Sequence, residues 1–315
     1  MSQVLLLSAA DVHAVFDVGT AIESQRAAFG ALGRDEALLA PRALLPAGDD
    51  VAFCYLSRLP GTGPVAKFGS VNAGNPGRGL PSVHAMVTVL DPEDGTPAAI
   101  IEGTSVTTLR TAAASAVAID HLAAPGASRL AIIGCGVQGR AHVDAIAAVR
   151  ELSEVRLFSR TPAAAEALAA DVGGRVAASA REAVAGADMV ALCTTSEKPV
   201  VEGAWLSPGC TVVSVGSFAP DRSEVDGELL AMASAIVVDD VETSLEQAGS
   251  IVAGGLSAGD LISLGAVVAG LAGARRGAGD IVFYNSVGLG VQDTAAAARI
   301  VERARAEGVG TLLSL

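Results

Sequence analysis

The chain has 315 residues, 51% of them hydrophobic, and a formal net charge of −13. That excess of carboxylates repels nucleic-acid phosphates, and no Lys/Arg cluster with interleaved aromatics offsets it, so no nucleic-acid partner is expected. No run of about 18 apolar residues is free of charges and helix breakers, which argues against a membrane span, and the length allows one or two domains with a large apolar core.

The opening MSQVLLLSAADVHAVFD is apolar, but it lacks a basic leader and carries Asp11 and Asp17 early. It does not read as a secretory signal, and a cytoplasmic protein is expected. Ser8 is a candidate cap for a short helix, and residues 18–32 read as a second helix. After Pro41, strands are expected over residues 51–55, 65–70 and 83–90, with DPEDGT (91–96) as a turn before the apolar run AAIIEG. The alanine-rich residues 107–124 predict a closely packed helix.

From Arg129 the pattern becomes strand–helix alternation: RLAIIG, a helix from Val137, EVRLFS, a helix after Thr161 and Pro162, then MVALCT, TVVSVGS and AIVVDD. Short apolar strands between helices are what a parallel sheet covered on both faces requires. The expected fold class is therefore α/β: a Rossmann-type, doubly wound parallel sheet domain over residues 124–290, plus a second, α+β domain. The helical DTAAAARIVERARAEG is expected to pack back onto that second domain, making it discontinuous, 1–123 plus 291–315. The cysteines, Cys54, Cys135, Cys193 and Cys210, form no CxxC pair, and His13, His84, His121 and His142 are scattered. Buried reduced thiols and no metal site are expected.

The strongest motif is AIIGCGVQG, in which Gly134, Gly136 and Gly139 match G-x-G-x-x-G after a predicted strand and at the start of a helix. The first glycine permits the tight turn, the second lets backbone approach a pyrophosphate, and the third lets helix pack on strand. The helix N-terminus then presents unpaired N–H groups to the phosphates. About 20 residues further on, where NAD-binding domains place an acidic residue for the ribose 2′-hydroxyl, this chain reads Phe158-Ser159-Arg160-Thr161. An arginine and a hydroxyl suit a 2′-phosphate, so NADP(H) is preferred over NAD(H). The competing reading makes Arg160 a solvated surface residue and NAD(H) the cofactor.

In so acidic a chain, basic residues within apolar context carry information. Arg42 follows Pro41, Lys67 lies in the strand-like PVAKFGSV, and Arg110 sits early in the alanine-rich helix. Burying such charges alone is costly, so each should meet an anion. Each by itself is an ordinary structural cation; together, beside a dinucleotide fold, they read as a carboxylate-binding cleft.

Taken in order, PVAKFGSVNAGNPGRGLPSVHAMV, EGTSVTTLRTAAASA, IIGCGVQG, VGSFAPDRSEVD and FYNSVGLGVQD resemble the ornithine cyclodeaminase/mu-crystallin family, over nearly the whole chain. The resemblance implies a homodimer whose first domain supplies the substrate site and the subunit contact. It places Arg42 and Lys67 at the substrate carboxylate and Arg110 between substrate and pyrophosphate. Phe218 and Val287 fall at substrate positions. Ser82, Arg110, Gly134, Gly136, Val137, Gln138, Gly139, Ser159, Arg160, Thr161, Thr194, Gly216, Arg222, Ser286 and Gly288 match cofactor positions.

Two departures from the family pattern matter. A catalytic aspartate precedes the proline of the motif that here reads GSFAPDRSE, and Phe218 stands in its place. The glutamate that cyclodeaminases carry after the first substrate arginine has no counterpart in RALLPAGDDVAFCYL. Without those carboxylates to manage the protons of a second amine, ornithine or lysine cyclisation is disfavoured. The expected function is thus an NADP-dependent oxidoreductase acting on the C–N bond of a small amino or imino acid, of the ketimine reductase or amino-acid dehydrogenase type. Lys67 is its candidate proton donor, with a pKa lowered by neighbouring cations. Asp221 is a second candidate acid, and Cys54 and Tyr55 are candidate pocket residues. The alternatives are a cyclodeaminase using catalytic NAD and a non-catalytic NADPH-binding protein.

Overall fold

The computed structural model describes residues 3–72 and 74–314; parts of the opening segment and of KFGSVNAGN lie outside the described residues. The chain forms two units, Met1–Arg110 with Leu289–Leu315, and Thr111–Gly288.

The first unit is a mixed sheet. Its strands are β1 (Gln3–Leu7), β2 (Leu38–Leu39), β3 (Ala43–Ala47), β4 (Asp50–Arg58), β5 (Val65–Asn72), β6 (Val83–Leu90) and β7 (Pro97–Glu102). With a last strand, Thr311–Ser314, beside β1, they run in the order last strand, β1, β7, β6, β5, β4, β2, and β3 also pairs with β4. Only β1 and β7 pair in parallel; the other pairings are antiparallel. Helix α1 (Ala9–Val15) starts at Ser8, whose hydroxyl accepts from the Asp11 amide while the Asp11 carboxylate accepts from the Ser8 amide. Helix α2 (Val18–Gly33) is capped by Asp17, which accepts from the Thr20 amide at 2.8 Å.

The C-terminal helix, Gly290–Glu307, buries Val291, Ala295, Ile300 and Val301 in this unit. A hydroxyl pair joins it to β4, Ser57 Oγ to Thr294 Oγ1 at 2.6 Å, and Gln25 of α2 donates to the Gln292 carbonyl at 3.2 Å. Gly290 lies so close to β4 that a Cβ there would come within 3.0 Å of Ser57 Oγ. Residues of α2, β4, β5 and the last helix therefore meet although far apart in sequence.

In the second unit eight strands are all parallel: β8 (Arg129–Ile133), β9 (Glu154–Phe158), β10 (Arg175–Val176), β11 (Met189–Leu192), β12 (Thr211–Ser214), β13 (Ala235–Val238), β14 (Leu261–Ser263) and β15 (Val282–Asn285). Their order, β10-β9-β8-β11-β12-β15-β13-β14, reverses direction at β8. That reversal makes the sheet doubly wound and Rossmann-type, and in such sheets ligands bind at the carboxyl ends of the strands beside the switch point. Strands β11, β12 and β15 are buried along their whole length, which is why they are mostly apolar.

Helix α3 (Gly103–Leu122) begins earlier than residue 107 and crosses from one unit into the other. The division between units falls at Arg110, inside this helix, and at Leu289, whereas the composition change at residues 123–128 and the helix start near 290 are the boundaries visible in sequence. Residues beyond Arg110 are anchored in the second unit: the Leu122 carbonyl accepts from Thr211 Oγ1 at 3.3 Å and Arg275 Nε at 2.9 Å. Ala112, Ala113, Ala114, Ala116 and Ala118 are all essentially inaccessible. A larger side chain at any of them would overpack the interior at a cost of about 1–3 kcal/mol.

Candidate active site

The glycine turn joins β8 to helix α4 (Val137–Ala147), as the motif requires. Gly134 has φ +100°, and a Cβ there would stand 2.5 Å from the Cys193 carbonyl oxygen; at Gly139 it would stand 2.1 Å from the Gly134 oxygen. Around Gly136, by contrast, nothing lies within 4 Å of a built Cβ. Two glycines are thus demanded by packing and the middle one leaves a cradle open, the arrangement a pyrophosphate needs. Gly136 is the N-cap of α4 and provides no side-chain cap, Val137 is exposed, and the buried Gln138 Oε1 has no protein partner. The first-turn N–H groups of α4 therefore remain for an anion.

Beside this turn lies a cavity of about 320 Å³ lined by Gly134, Ser159, Arg160, Thr194 and Thr195 among others, with no acidic residue among its lining. Ser159 Oγ accepts from the amide of Thr161, and Thr161 caps helix α5 (Pro162–Val172). Lining of this kind fits the adenosine half of a dinucleotide. The thiols nearby are not nucleophiles: burial pushes Cys135 up to about 11 and Cys193 well above its usual range.

Two buried carboxylates that the motif search assigned no role organise the neighbouring loops. Glu224 accepts from the Thr194 amide and hydroxyl, both at 2.7 Å, from Ser214 Oγ at 2.7 Å and from the Gly216 amide at 2.8 Å. Desolvation raises its pKa, and those hydrogen bonds oppose the rise. Asp239, just past β13, accepts from Ser286 Oγ at 3.0 Å, from the amides of Val287 at 2.9 Å and Gly288 at 2.6 Å, and from the Tyr284 hydroxyl. Each holds a stretch singled out from sequence, Thr194 with Gly216 and residues 286–288. For Asp239 the sequence signal was an acidic residue directly behind an apolar strand, in AIVVDD; Glu224, in the polar DRSEVD, carried no such signal.

Phe218 follows β12, and the Arg222 guanidinium lies over its ring at 5.4 Å while donating to the Thr195 carbonyl at 2.8 Å. Asp221 is exposed.

In the first unit, Lys67 on β5 is 2% exposed. Its Nζ donates to Asp293 Oδ1 of the last helix at 2.9 Å, and Arg110 Nε lies 3.4 Å from the same oxygen. Arg110 also donates to Gln292 Oε1 at 3.3 Å. Tyr55, the cross-strand neighbour of Lys67, carries the Arg42 guanidinium 4.8 Å above its ring. Cys54 points to the opposite face of the sheet, as strand alternation dictates. Burial pulls the Lys67 pKa down to about 8; Asp293 opposes that shift, and Arg110 and Arg42 add to it. Lys67 and Arg110 thus share one carboxylate oxygen, with Arg42 close enough to act on Lys67, a site with capacity for a further anion. Asp293 is the residue the sequence reading missed. It stands in VQDTAAAA, where helical spacing gives no hint of the strand it meets. Ser82 precedes β6, and its carbonyl accepts from the Asn72 amide.

A doubly wound parallel sheet with a glycine turn at its switch point, joined in one chain to an α+β unit with a buried cationic site, defines a Rossmann-type protein of the dehydrogenase architecture. The chain belongs to the ornithine cyclodeaminase/mu-crystallin family, whose model matches residues 58–308. It is 36% identical over 227 residues to the ketimine reductase mu-crystallin of Rattus norvegicus, covering 71% of each chain. Among solved structures, Thermococcus litoralis Δ1-pyrroline-2-carboxylate reductase in complex with NADH and L-proline matches with TM-score 0.93 and 32% identity, covering 98% of this chain and 99% of that one. An archaeal alanine dehydrogenase dimer with bound NAD matches with TM-score 0.95 and 29% identity, covering 100% of both.

Proposed function

We propose that the protein reduces the C=N bond of a small imino acid with a nicotinamide dinucleotide, NADPH in preference to NADH. The observation that carries this reading is the buried Lys67, Arg110 and Asp293 cluster with Arg42 beside it, in a chain whose other unit holds an open glycine cradle. In support stand relatives named for imine and amino-acid redox chemistry.

When bound, the reduced nicotinamide supplies hydride. Arg42 and Arg110 grip the substrate carboxylate, with guanidinium geometry suited to two parallel hydrogen bonds. Lys67, protonated at neutral pH, gives its proton to the substrate nitrogen as the carbon receives hydride, so C=N becomes CH–NH with one hydride and one proton consumed. The lysine is then recharged from solvent. The cradle at Gly134, Gly136, Val137, Gln138 and Gly139 takes the pyrophosphate; Ser159, Arg160, Thr161, Thr194 and Arg222 border the adenosine end. By the family resemblance, Ser82, Gly216, Ser286 and Gly288 are further cofactor contacts, and Phe218 and Val287 are substrate contacts.

Phe218 also argues against cyclodeamination, which needs a carboxylate to serve a second amine. The test is consumption of NADPH or NADH, followed by loss of the reduced nicotinamide absorbance, against cyclic ketimine carboxylates and against 2-oxo acids with ammonia or methylamine. Stoichiometric consumption with a cyclic ketimine is expected. Proline and ammonia formed from ornithine with catalytic NAD would reverse the reading.

We further infer a homodimer formed through the outer face of the first sheet, where Leu45, Leu56, Phe68 and Met86 project on one side, 48–72% exposed. Four unpaired thiols fit a reducing compartment, and we assign the protein to the cytoplasm.

A further inference from the structure

We propose that Asp293 is a positioning residue for Lys67: its carboxylate, buried between Lys67 and Arg110, fixes the lysine amine in place and keeps it as an ammonium. This rests on the reading of Lys67 as the proton donor.

A lysine amine fully buried on a strand readily gives up its proton, since nothing replaces its hydration. The groups facing Lys67 make that worse. Strand β4 presents Tyr55, β6 presents Val87, α3 presents Arg110, and the segment before β3 presents Arg42. Among the described residues, the anion facing it is Asp293 of the last helix, with Oδ1 2.9 Å from Lys67 Nζ.

This carboxylate has no competing duty. Asp11 and Asp17 cap helices, Glu224 and Asp239 hold loop amides, but Asp293 binds no backbone amide and its Oδ2 has no partner. It sits in the first turn of an 18-residue helix, the end whose dipole attracts negative charge. One oxygen shared by Lys67 and Arg110 also couples the proton donor to a carboxylate-gripping arginine. Loss of the lysine proton weakens one side of that shared contact, so protonation and substrate grip change together.

The chain has only two lysines, Lys67 and Lys198, and Lys198 is exposed. In the full-length Lys198→Arg protein, labelled with 13Cε-lysine, a single lysine signal reports Lys67. Its NMR titration should have a midpoint near the value of about 8 set by the burial and charges described. Asp293→Asn, in that background, should lower the midpoint by about one to three units, while Asp293→Glu retains it. A midpoint in Asp293→Asn equal to the parent's overturns the proposal.

Should Asp293→Asn fail to fold, the charge-compensated comparison decides. Arg110→Met alone raises the midpoint, and Arg110→Met/Asp293→Asn brings it below that of Arg110→Met; an unchanged midpoint between those two again overturns the proposal. Because the readout is a resonance and not turnover, failure of the reductase reading appears separately, as absence of nicotinamide oxidation by the parent protein whatever its titration shows.

Discussion

Two buried carboxylates, one in each unit, show the difference between a structural anion and a chemical one. Asp239 is saturated: two backbone amides, a serine and a tyrosine all donate to it, and among the described residues no ion pair involves it. Asp293 meets only the side chains of Lys67 and Arg110, and one of its oxygens is left without a partner. Saturation fixes a loop. Under-coordination, with an excess of positive charge around it, leaves a site that still has a ligand to receive.

The sharpest break in that comparison is to remove the cation that Asp293 serves. Lys67→Met should lower kcat/KM for imine reduction by about a hundred- to ten-thousandfold, the usual worth of a positioned proton donor. Dinucleotide affinity, measured by calorimetry, should hold, because the glycine cradle belongs to the other unit. A variant that lost nucleotide binding and catalysis equally would deny Lys67 its chemical role. Asp239→Asn should act in the opposite sense, as a stability lesion. An amide cannot accept from every donor that the carboxylate serves, so unfolding by urea should show a loss of roughly 2–4 kcal/mol.

The second unit was largely legible from sequence because its physics is local. Its central strands are short, mostly apolar runs between helices, and the turn Gly134, Gly136, Gly139 announces itself by spacing, whereas the edge strands Arg175–Val176 and Leu261–Ser263 carried too little pattern to be seen. Even so, Asp239 and Glu224 went unassigned, since the loops they hold lie 47 and 30 residues away in the chain. In the first unit Arg42, Lys67 and Arg110 were visible as cations out of place, yet their partner was not. Lys67 and Asp293 are separated by 226 residues, and only the antiparallel sheet and the returning helix bring them together. The short strands Gln3–Leu7 and Thr311–Ser314 were missed for the same reason: each is defined by its partner more than by its own pattern.

A buried base in the second unit offers a finer probe. His142 Nδ1 lies 2.7 Å from the Gln138 carbonyl, which can only accept, so Nδ1 carries the proton and Nε2 accepts from Ser115 Oγ at 2.8 Å. Burial lowers its pKa from 6.5 to about 4, the Gln138 carbonyl opposing the shift. The unfolded chain therefore takes up this proton first as pH falls. Stability is intact above pH 6.5 and declines as pH drops toward 4, by roughly 3 kcal/mol when the titration is complete. Urea unfolding at pH 7 and pH 4.5 should show that loss in the parent protein and a reduced loss in His142→Asn. Equal pH dependence in both would place the acid sensitivity elsewhere.

The smallest effect tests cofactor choice at the cavity beside β9. Ser159, Arg160 and Thr195 line it and no carboxylate does, so a ribose 2′-hydroxyl finds no strong acceptor there, whereas a 2′-phosphate finds a guanidinium and hydroxyls. A charge-assisted contact of this kind is worth about 1.5–3 kcal/mol. Arg160→Ala should therefore lower kcat/KM for NADPH by about ten- to a hundredfold and leave NADH nearly untouched. Rising salt should weaken NADPH use in the parent protein and have little effect in the variant, since screening acts on the charge that the variant has lost. Were both nucleotides to suffer alike, Arg160 would be supporting the pocket wall, and the preference for a 2′-phosphate would have no residue to carry it.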